Sequence, residues 1–376
     1  MPFGSELREE GIALALSGGG YRAVLFHVGS IIRLNESGIL SQLKRVSSVS
    51  GGSIAAGVLA VHWSKLIPDG KGRFNNLDKE FVQPLREFCG KTLDVWSVIS
   101  GALNPFKTAG DEVIESYRDD LGLGLKLRDL PNDGPRFVFN STNFATGSSF
   151  RFSKPYCGDY RIGLIKEINN DFDVAFAVGC SSAFPPVLSP IEVDVDPALF
   201  EKTEGADLYD RIDFRKKLQL ADGGVYDNLG LETIWGRYET VLASDAGKPF
   251  ELNASQNGLS PQLFRVMNIG LNQALALRKR TLIDNFKAND GAGAYWGIAT
   301  DIRKYNLQDA LPVSQSKIEY LSQIRTRLDK FNEQEQCELI NWGYAVTDAA
   351  IRAKQPALNV PPGLRTFPCK NFPLNH

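Results

Sequence analysis

An α/β fold is what the sequence predicts, because three stretches share one layout: an apolar run ending in a turn built on glycine. Residues 11–17, G-I-A-L-A-L-S, read as a buried strand; Gly18, Gly19 and Gly20 follow, and the apolar spacing of residues 21–34 suits a helix. Residues 43–49 run into Ser50, Gly51 and Gly52 and then into a second helical stretch. Residues 218–222, L-Q-L-A-D, form a third strand closed by Gly223 and Gly224.

The first turn offers donors. A glycine turn feeding a helix leaves backbone N–H groups without partners, and such groups bind an anion or a developing oxyanion. Arg22 adds a fixed positive charge at the same strand end, suited to a phosphate or carboxylate. A nucleotide loop is the competing reading, but residues 18–23 lack the third glycine of a dinucleotide motif and the Gly-Lys-Ser/Thr ending of a triphosphate loop.

The second turn has the outline of a nucleophile elbow, in which a serine sits in a strained strand-to-helix turn among small neighbours. Ser50 occupies that place. The usual pattern is Gly-x-Ser-x-Gly; here Ser48 stands where the first glycine would be, so its hydroxymethyl group must fit between strand and helix. A second serine motif, at Ser181, keeps a first glycine at Gly179 but ends in Ala183 and follows a run that reads as a helix.

A serine nucleophile needs a base, and the chain has only three histidines, His27, His62 and His376. The first two fall in expected helices and the third ends the chain, so an ordinary Ser-His-Asp triad is not expected. Asp222 supplies a carboxylate at a strand's C-terminal end, the edge where open α/β sheets place their sites. Taken alone it also fits a turn aspartate bonded to its own backbone. Asp245, ending the run 241–245, is the second candidate acid, without the double glycine.

Together, residues 17–22 (S-G-G-G-Y-R), the Ser50 elbow and Asp222-Gly223-Gly224, in that order, closely resemble the patatin-like phospholipases, a family related to cytosolic phospholipase A2. The proline-bearing block 179–186, the segment 227–230 and residues 325–348 extend the resemblance over most of the chain. It implies a three-layer α/β/α fold with a mainly parallel central sheet and helical insertions. It also implies a Ser50–Asp222 catalytic dyad, an oxyanion hole at Gly18, Gly19 and Gly20, and an Arg22 that assists the oxyanion or the lipid phosphate. The activity implied is lipid acyl hydrolysis through an acyl-serine, on a phospholipid or other acyl-ester substrate, with neither cofactor nor metal. A normal aspartate is a poor base near neutral pH, so the site is expected to desolvate Asp222. Two other readings stay open: a carboxylesterase for small or neutral esters, and a lipid-binding regulatory module without catalysis.

Composition fits and sets limits. A chain of 376 residues with 43% apolar content can bury a large core, and no linker, repeat or low-complexity stretch divides it, so one catalytic unit over 1–376 is expected. The net charge of −2 and the lack of a basic stripe argue against a nucleic-acid partner. The five cysteines are widely spaced and odd in number, which fits neither a disulfide framework nor a zinc site. The charged N-terminus has no signal-peptide core and no run reaches membrane-span length, so a cytoplasmic protein, able to sit peripherally on membranes, is expected. Oligomeric state is left open.

The remaining elements are mostly helical. A helical insertion is expected at about 66–130, and its apolar part, 93–106, reads as a packing helix or as a lid that touches lipid. From residue 262 onward helices are expected at 263–286, 317–331 and 333–353, with a strand at 294–300 between the first two. The short basic run Arg278-Lys279-Arg280 and Lys304 read as a solvated face.

Overall fold

The computed structural model describes residues 8–93, 108–252, 258–288, 292–355, 358 and 365–375. The apolar stretch 94–106, read above as lid or packing helix, lies outside the described residues, as does His376.

Strand β1, Glu9–Leu16, is the axis of the molecule. Because successive side chains of a strand point to opposite faces, Ile12, Leu14 and Leu16 enter one core, while Ala13 and Ala15 enter a second, smaller one. The large side chains meet α1, Gly20–Glu36, and α2, Gly51–His62. On the other face the alanines leave room for Leu229, Leu231, Ile234 and Leu282. That asymmetry makes layers: a sheet with its bulky face under the central helices and its flat face under the chain after residue 228.

β1 pairs in parallel with β2, Leu43–Ser48, on one side and with β10, Tyr238–Asp245, on the other. β11, Ala292–Gly297, extends the parallel set beyond β10, and β3, Arg136–Asn143, extends it beyond β2. Past β3 the sheet turns antiparallel through β4 (Ser148–Ser153), β5 (Tyr156–Asp159), β6 (Gly163–Lys166) and β8 (Phe200–Glu201). β7, Ile191–Asp194, pairs only with β9, Lys217–Asp222.

One detail of register builds the site. β2 runs parallel to β3 and stops at Ser48, opposite Phe139. β9 comes from the opposite direction along the same strand and stops at Asp222, opposite Ser141. The C-terminal ends of β2 and β9 therefore meet head to head, with Asn140 between them.

The expected C-terminal helices are present with shifted bounds. α6, Leu259–Lys287, is longer than read, and α8, Glu333–Lys354, matches closely. The stretch read as a helix over 317–331 is helical only as α7, Gln315–Gln323; the chain then runs irregularly along the top of α1. In the insertion, α3 (Gln83–Cys89) and α4 (Ala109–Asp120) are short, and α5 (Val174–Ser182) bears out the helix expected before Ser181. α1 and α8 cross at two glycines: a Cβ on Gly29 would lie 1.9 Å from the Ile340 carbonyl, and one on Gly343 would lie 1.9 Å from that of Phe26. Beside this crossing the buried Arg33 guanidinium meets Asp348 at 2.8 Å.

Candidate active site

Ser50 is the N-cap of α2 and has φ 52° and ψ −123°, a left-handed conformation rare for a side-chain-bearing residue. Such strain costs on the order of 1–3 kcal/mol and persists only where the surroundings impose it. They do so here: the Ser50 amide donates to both the carbonyl and the hydroxyl of Ser181, each at 3.1 Å.

Ser48 fits. Its hydroxyl is buried and donates to the Val138 carbonyl at 3.3 Å, and it accepts from Ser53 at 2.9 Å. Ser53 in turn lies 2.8 Å from the hydroxyl of Ser181, which donates to the Asn140 carbonyl at 2.6 Å. Where a glycine would leave space, this chain has a line of hydroxyls joining strand, elbow and α5. Asn140, in the gap between the strand ends, donates to the Ser48 carbonyl and the Ser47 hydroxyl, both at 2.9 Å.

Asp222 faces Ser50 across the gap. Ser50 and Asp222 line the same cavity, with the Ser50 hydroxyl in polar contact with the carboxylate, and the Gly224 amide donates to its Oδ1 at 2.6 Å. With 2% of its surface exposed, the carboxyl is pushed up to about 6; burial dominates, and the bonds from Gly224 and Ser50 hold it back only in part. Its own amide is held by the Ala183 carbonyl at 2.8 Å, and the Gly223 amide by that of Ser181 at 3.2 Å. The proline-bearing block 179–186 thus contributes backbone acceptors from the end of α5, and Ser181 braces both strand ends.

The glycine turn closes the other side. The Gly18 amide, expected to be an oxyanion donor, is spent on the Asn228 carbonyl at 3.1 Å. The amides of Gly19 and Gly20, at the start of α1, donate no backbone hydrogen bond among the described residues, and both glycines line the cavity. Gly20 has φ 57°, and a Cβ there would lie 1.5 Å from the Thr326 carbonyl. No side chain fits between this turn and the C-terminal segment.

Arg22 is placed differently from the expectation. It is fully buried, and its guanidinium donates to the carbonyls of Ser322 (3.0 Å), Ile324 (2.9 Å) and Ala246 (2.7 Å). Pointing inward from α1, the long side chain reaches one carbonyl in the last turn of α7 and two in the segments beyond α7 and β10, so it clamps the C-terminal segment to the sheet edge and does not line the cavity.

The other candidates lie elsewhere. His27 is buried between the Ser17 carbonyl and the Ser244 hydroxyl, both at 2.9 Å, and burial pulls its pKa down to about 4. His62 pairs with Glu80 at 3.1 Å. Asp245 is buried and held by Lys279 and by the Tyr295 hydroxyl at 2.6 Å. Among the described residues no cluster of His, Cys, Asp or Glu is arranged to hold a metal, and no helix is long and apolar enough to cross a membrane.

Ser50, Asp222 and the glycines open onto a cavity of about 430 Å³. Ile54, Leu93, Phe184, Val187, Leu188 and Leu328 give it an apolar wall; besides Asp222, Lys248, Arg327 and Asp329 are its ionisable members. The sequence carried no sign of Asn140 as part of the site, because it comes from a strand distant from the glycine turns, while Arg327 and Asp329 stood within the resembling segment 325–348 but were not singled out. Asn228 stood within the resembling segment 227–230, and its place against Gly18 is new.

A family model described as patatin-like phospholipase matches residues 14–235. No curated protein matches the chain. Among solved structures, human GIVD cytosolic phospholipase A2 superposes with a TM-score of 0.50 at 13% identity, over 95% of this chain and 63% of that one. The same human protein in complex with methyl γ-linolenyl fluorophosphonate gives a TM-score of 0.51 at 14% identity, over 94% of this chain and 60% of that one. The chain thus spans less than two thirds of these neighbours, and the likeness is one of fold: a central, mostly parallel sheet flanked by helices. With the family model covering more than half of the sequence, the chain belongs to the patatin-like phospholipase family.

Proposed function

We propose that this protein is a lipid acyl hydrolase of the phospholipase A or lysophospholipase type, working through a Ser50–Asp222 dyad. The observation that carries the reading is the placement of Ser50 and the buried Asp222 on one cavity wall, with the hydroxyl in polar contact with a carboxylate whose pKa burial raises to about 6. A base poised near neutrality is what proton transfer from an attacking hydroxyl requires. As Ser50 Oγ attacks the ester carbonyl, its proton passes to Asp222, and the developing oxyanion meets the amides of Gly19 and Gly20. Collapse expels the alcohol, which takes the proton back from Asp222, leaving an acyl-serine. Water activated by the same carboxylate then releases the fatty acid. The apolar wall gives an acyl chain a dry bed beside Ser50.

A lipid surface as the working environment is supported by α6, which exposes Leu259, Leu263, Phe264, Val266 and Ile269 in its first half. Large apolar side chains grouped on one exposed helix favour an interface over water. The carboxylesterase alternative predicts fast turnover of short soluble esters and little on vesicles. The test is covalent labelling by a fluorophosphonate probe together with mass spectrometry of products from mixed phospholipid vesicles. Labelling at Ser50 and fatty acid release, both lost in Ser50→Ala, are expected; no adduct at Ser50 would leave a non-catalytic lipid-binding module.

A further inference from the structure

With the Arg22 guanidinium spent on three carbonyls, a phosphate entering the cavity must find its cation elsewhere. Two cationic side chains line the cavity, Lys248 and Arg327. Lys248 is paired with Glu251. Arg327 is exposed and forms no hydrogen bond or ion pair among the described residues. Its backbone is nonetheless held: Arg22 grips the carbonyls of Ser322 and Ile324 just before it, and Arg325 is fixed to Glu335 at 2.6 Å and lies 4.0 Å over the Phe331 ring. One residue further on, the Leu328 carbonyl takes the Leu93 amide at 3.1 Å. A free guanidinium on a braced segment, at the wall of an apolar acyl cavity, is the arrangement that recognises a phosphate oxygen pair.

We propose that Arg327 is the specificity-determining residue of this site, binding the headgroup phosphate of a glycerophospholipid substrate, and that Arg22 is a positioning residue that holds the Arg327 segment against Gly20. The proposal rests on the hydrolase reading above. Asp329, whose carboxylate lines the same cavity, limits the positive field there, which suits the single charge of a phosphodiester better than the double charge of a phosphomonoester.

The experiment compares kcat/KM on lysophosphatidylcholine and on the monoacylglycerol of the same acyl chain, which lacks the phosphate, for wild type, Arg327→Gln and Arg22→Lys. A charged hydrogen bond of ordinary strength predicts that Arg327→Gln lowers the lysophospholipid-to-monoacylglycerol ratio about tenfold to a hundredfold, mainly through KM. Arg22→Lys is expected to lower both rates together, leaving the ratio within about twofold, since a positioning defect does not distinguish the headgroups. A ratio unmoved by Arg327→Gln, or one lowered only by Arg22→Lys, overturns the assignment while leaving hydrolysis intact. Because Arg327 is exposed, its variant folds irrespective of how Arg22→Lys behaves. A wild type that cleaves neither ester overturns the hydrolase reading, and this assignment with it.

Discussion

The carbonyl of Ser181 accepts the amide of Ser50 at 3.1 Å and, on its other side, the amide of Gly223 at 3.2 Å. One peptide group therefore ties the elbow to the turn behind Asp222. The serine that competes with Ser50 as a motif match supports Ser50 instead.

Removing the Ser181 hydroxyl tests that support. Ser181→Ala keeps the carbonyl but loses the bond to Asn140 and the second acceptor for the Ser50 amide. A stability loss of about 1–2 kcal/mol is expected, with a kcat loss of about tenfold if the misplacement of Ser50 costs a comparable amount at the barrier. Thermal melting and turnover of one ester, measured together, check both.

Ser48→Gly restores the family's usual elbow residue and breaks the hydroxyl line at Ser53. About 1 kcal/mol of stability should be lost. Activity should be retained, because the Ser50 amide keeps both of its Ser181 acceptors. Activity abolished in a folded Ser48→Gly would show that the serine does more than fill the turn.

Asp222 sets the pH dependence. In the proposed dyad its ionised form is the base, so kcat/KM should fall as pH drops below about 6 and level off above it. The stability effect has the opposite sign. A carboxyl whose pKa is higher folded than unfolded binds its proton more tightly in the native state, so its stabilising contribution is complete below about pH 4 and is lost as pH rises through about 6. At pH 8 the buried charge costs on the order of 3 kcal/mol by this linkage. Asp222→Asn should be inactive yet more stable than wild type at pH 8, with the gap closing toward pH 4. Melting curves across that range decide it, and a pH-independent gap would be incompatible with the raised pKa.

Asp348→Ala leaves Arg33, 1% exposed, without the carboxylate it meets at 2.8 Å. Breaking a buried pair by removing one partner costs about 3–5 kcal/mol. Since α8 backs α1, whose first turn carries Gly19 and Gly20, chemical denaturation should show the loss, and activity should vanish at lower temperature than in wild type.

The exposed apolar half of α6 predicts adsorption to lipid. Phe264→Glu with Val266→Glu should reduce co-sedimentation with phospholipid vesicles severalfold, while turnover of a short soluble ester stays at the wild-type level. Equal losses in both assays would place α6 in the fold's support and remove it from the interface.

Much of the site could be read from the sequence, for a physical reason. Strand ends that carry chemistry need small residues beside them, and the glycines at 18–20, 51–52 and 223–224 mark those ends. Asp222 and Ser50 line one cavity. The antiparallel strands β4–β8 went unread, since polar residues such as Asp159 of β5 are buried, accepting at 2.8 Å from Asn143 at the end of β3, and break the apolar pattern. Arg22 was misjudged because an arginine beside a glycine turn reads as a ligand for anions; only the fold shows three carbonyls waiting behind α1. The helix read over 317–331 stops at Gln323, where Arg22 takes the carbonyls of Ser322 and Ile324.

The head-to-head meeting of β2 and β9 along β3 makes that strand a ruler. The distance between Ser50 and Asp222 is set not by either turn but by the backbone rise from Phe139 to Ser141, about 3.3 Å per residue. Loops around the cavity can lengthen, shorten or change sequence without moving the two groups apart. A single residue inserted into β3 at Asn140 would separate them by one graduation, enough to part the Ser50 hydroxyl from the Asp222 carboxylate in an otherwise intact fold.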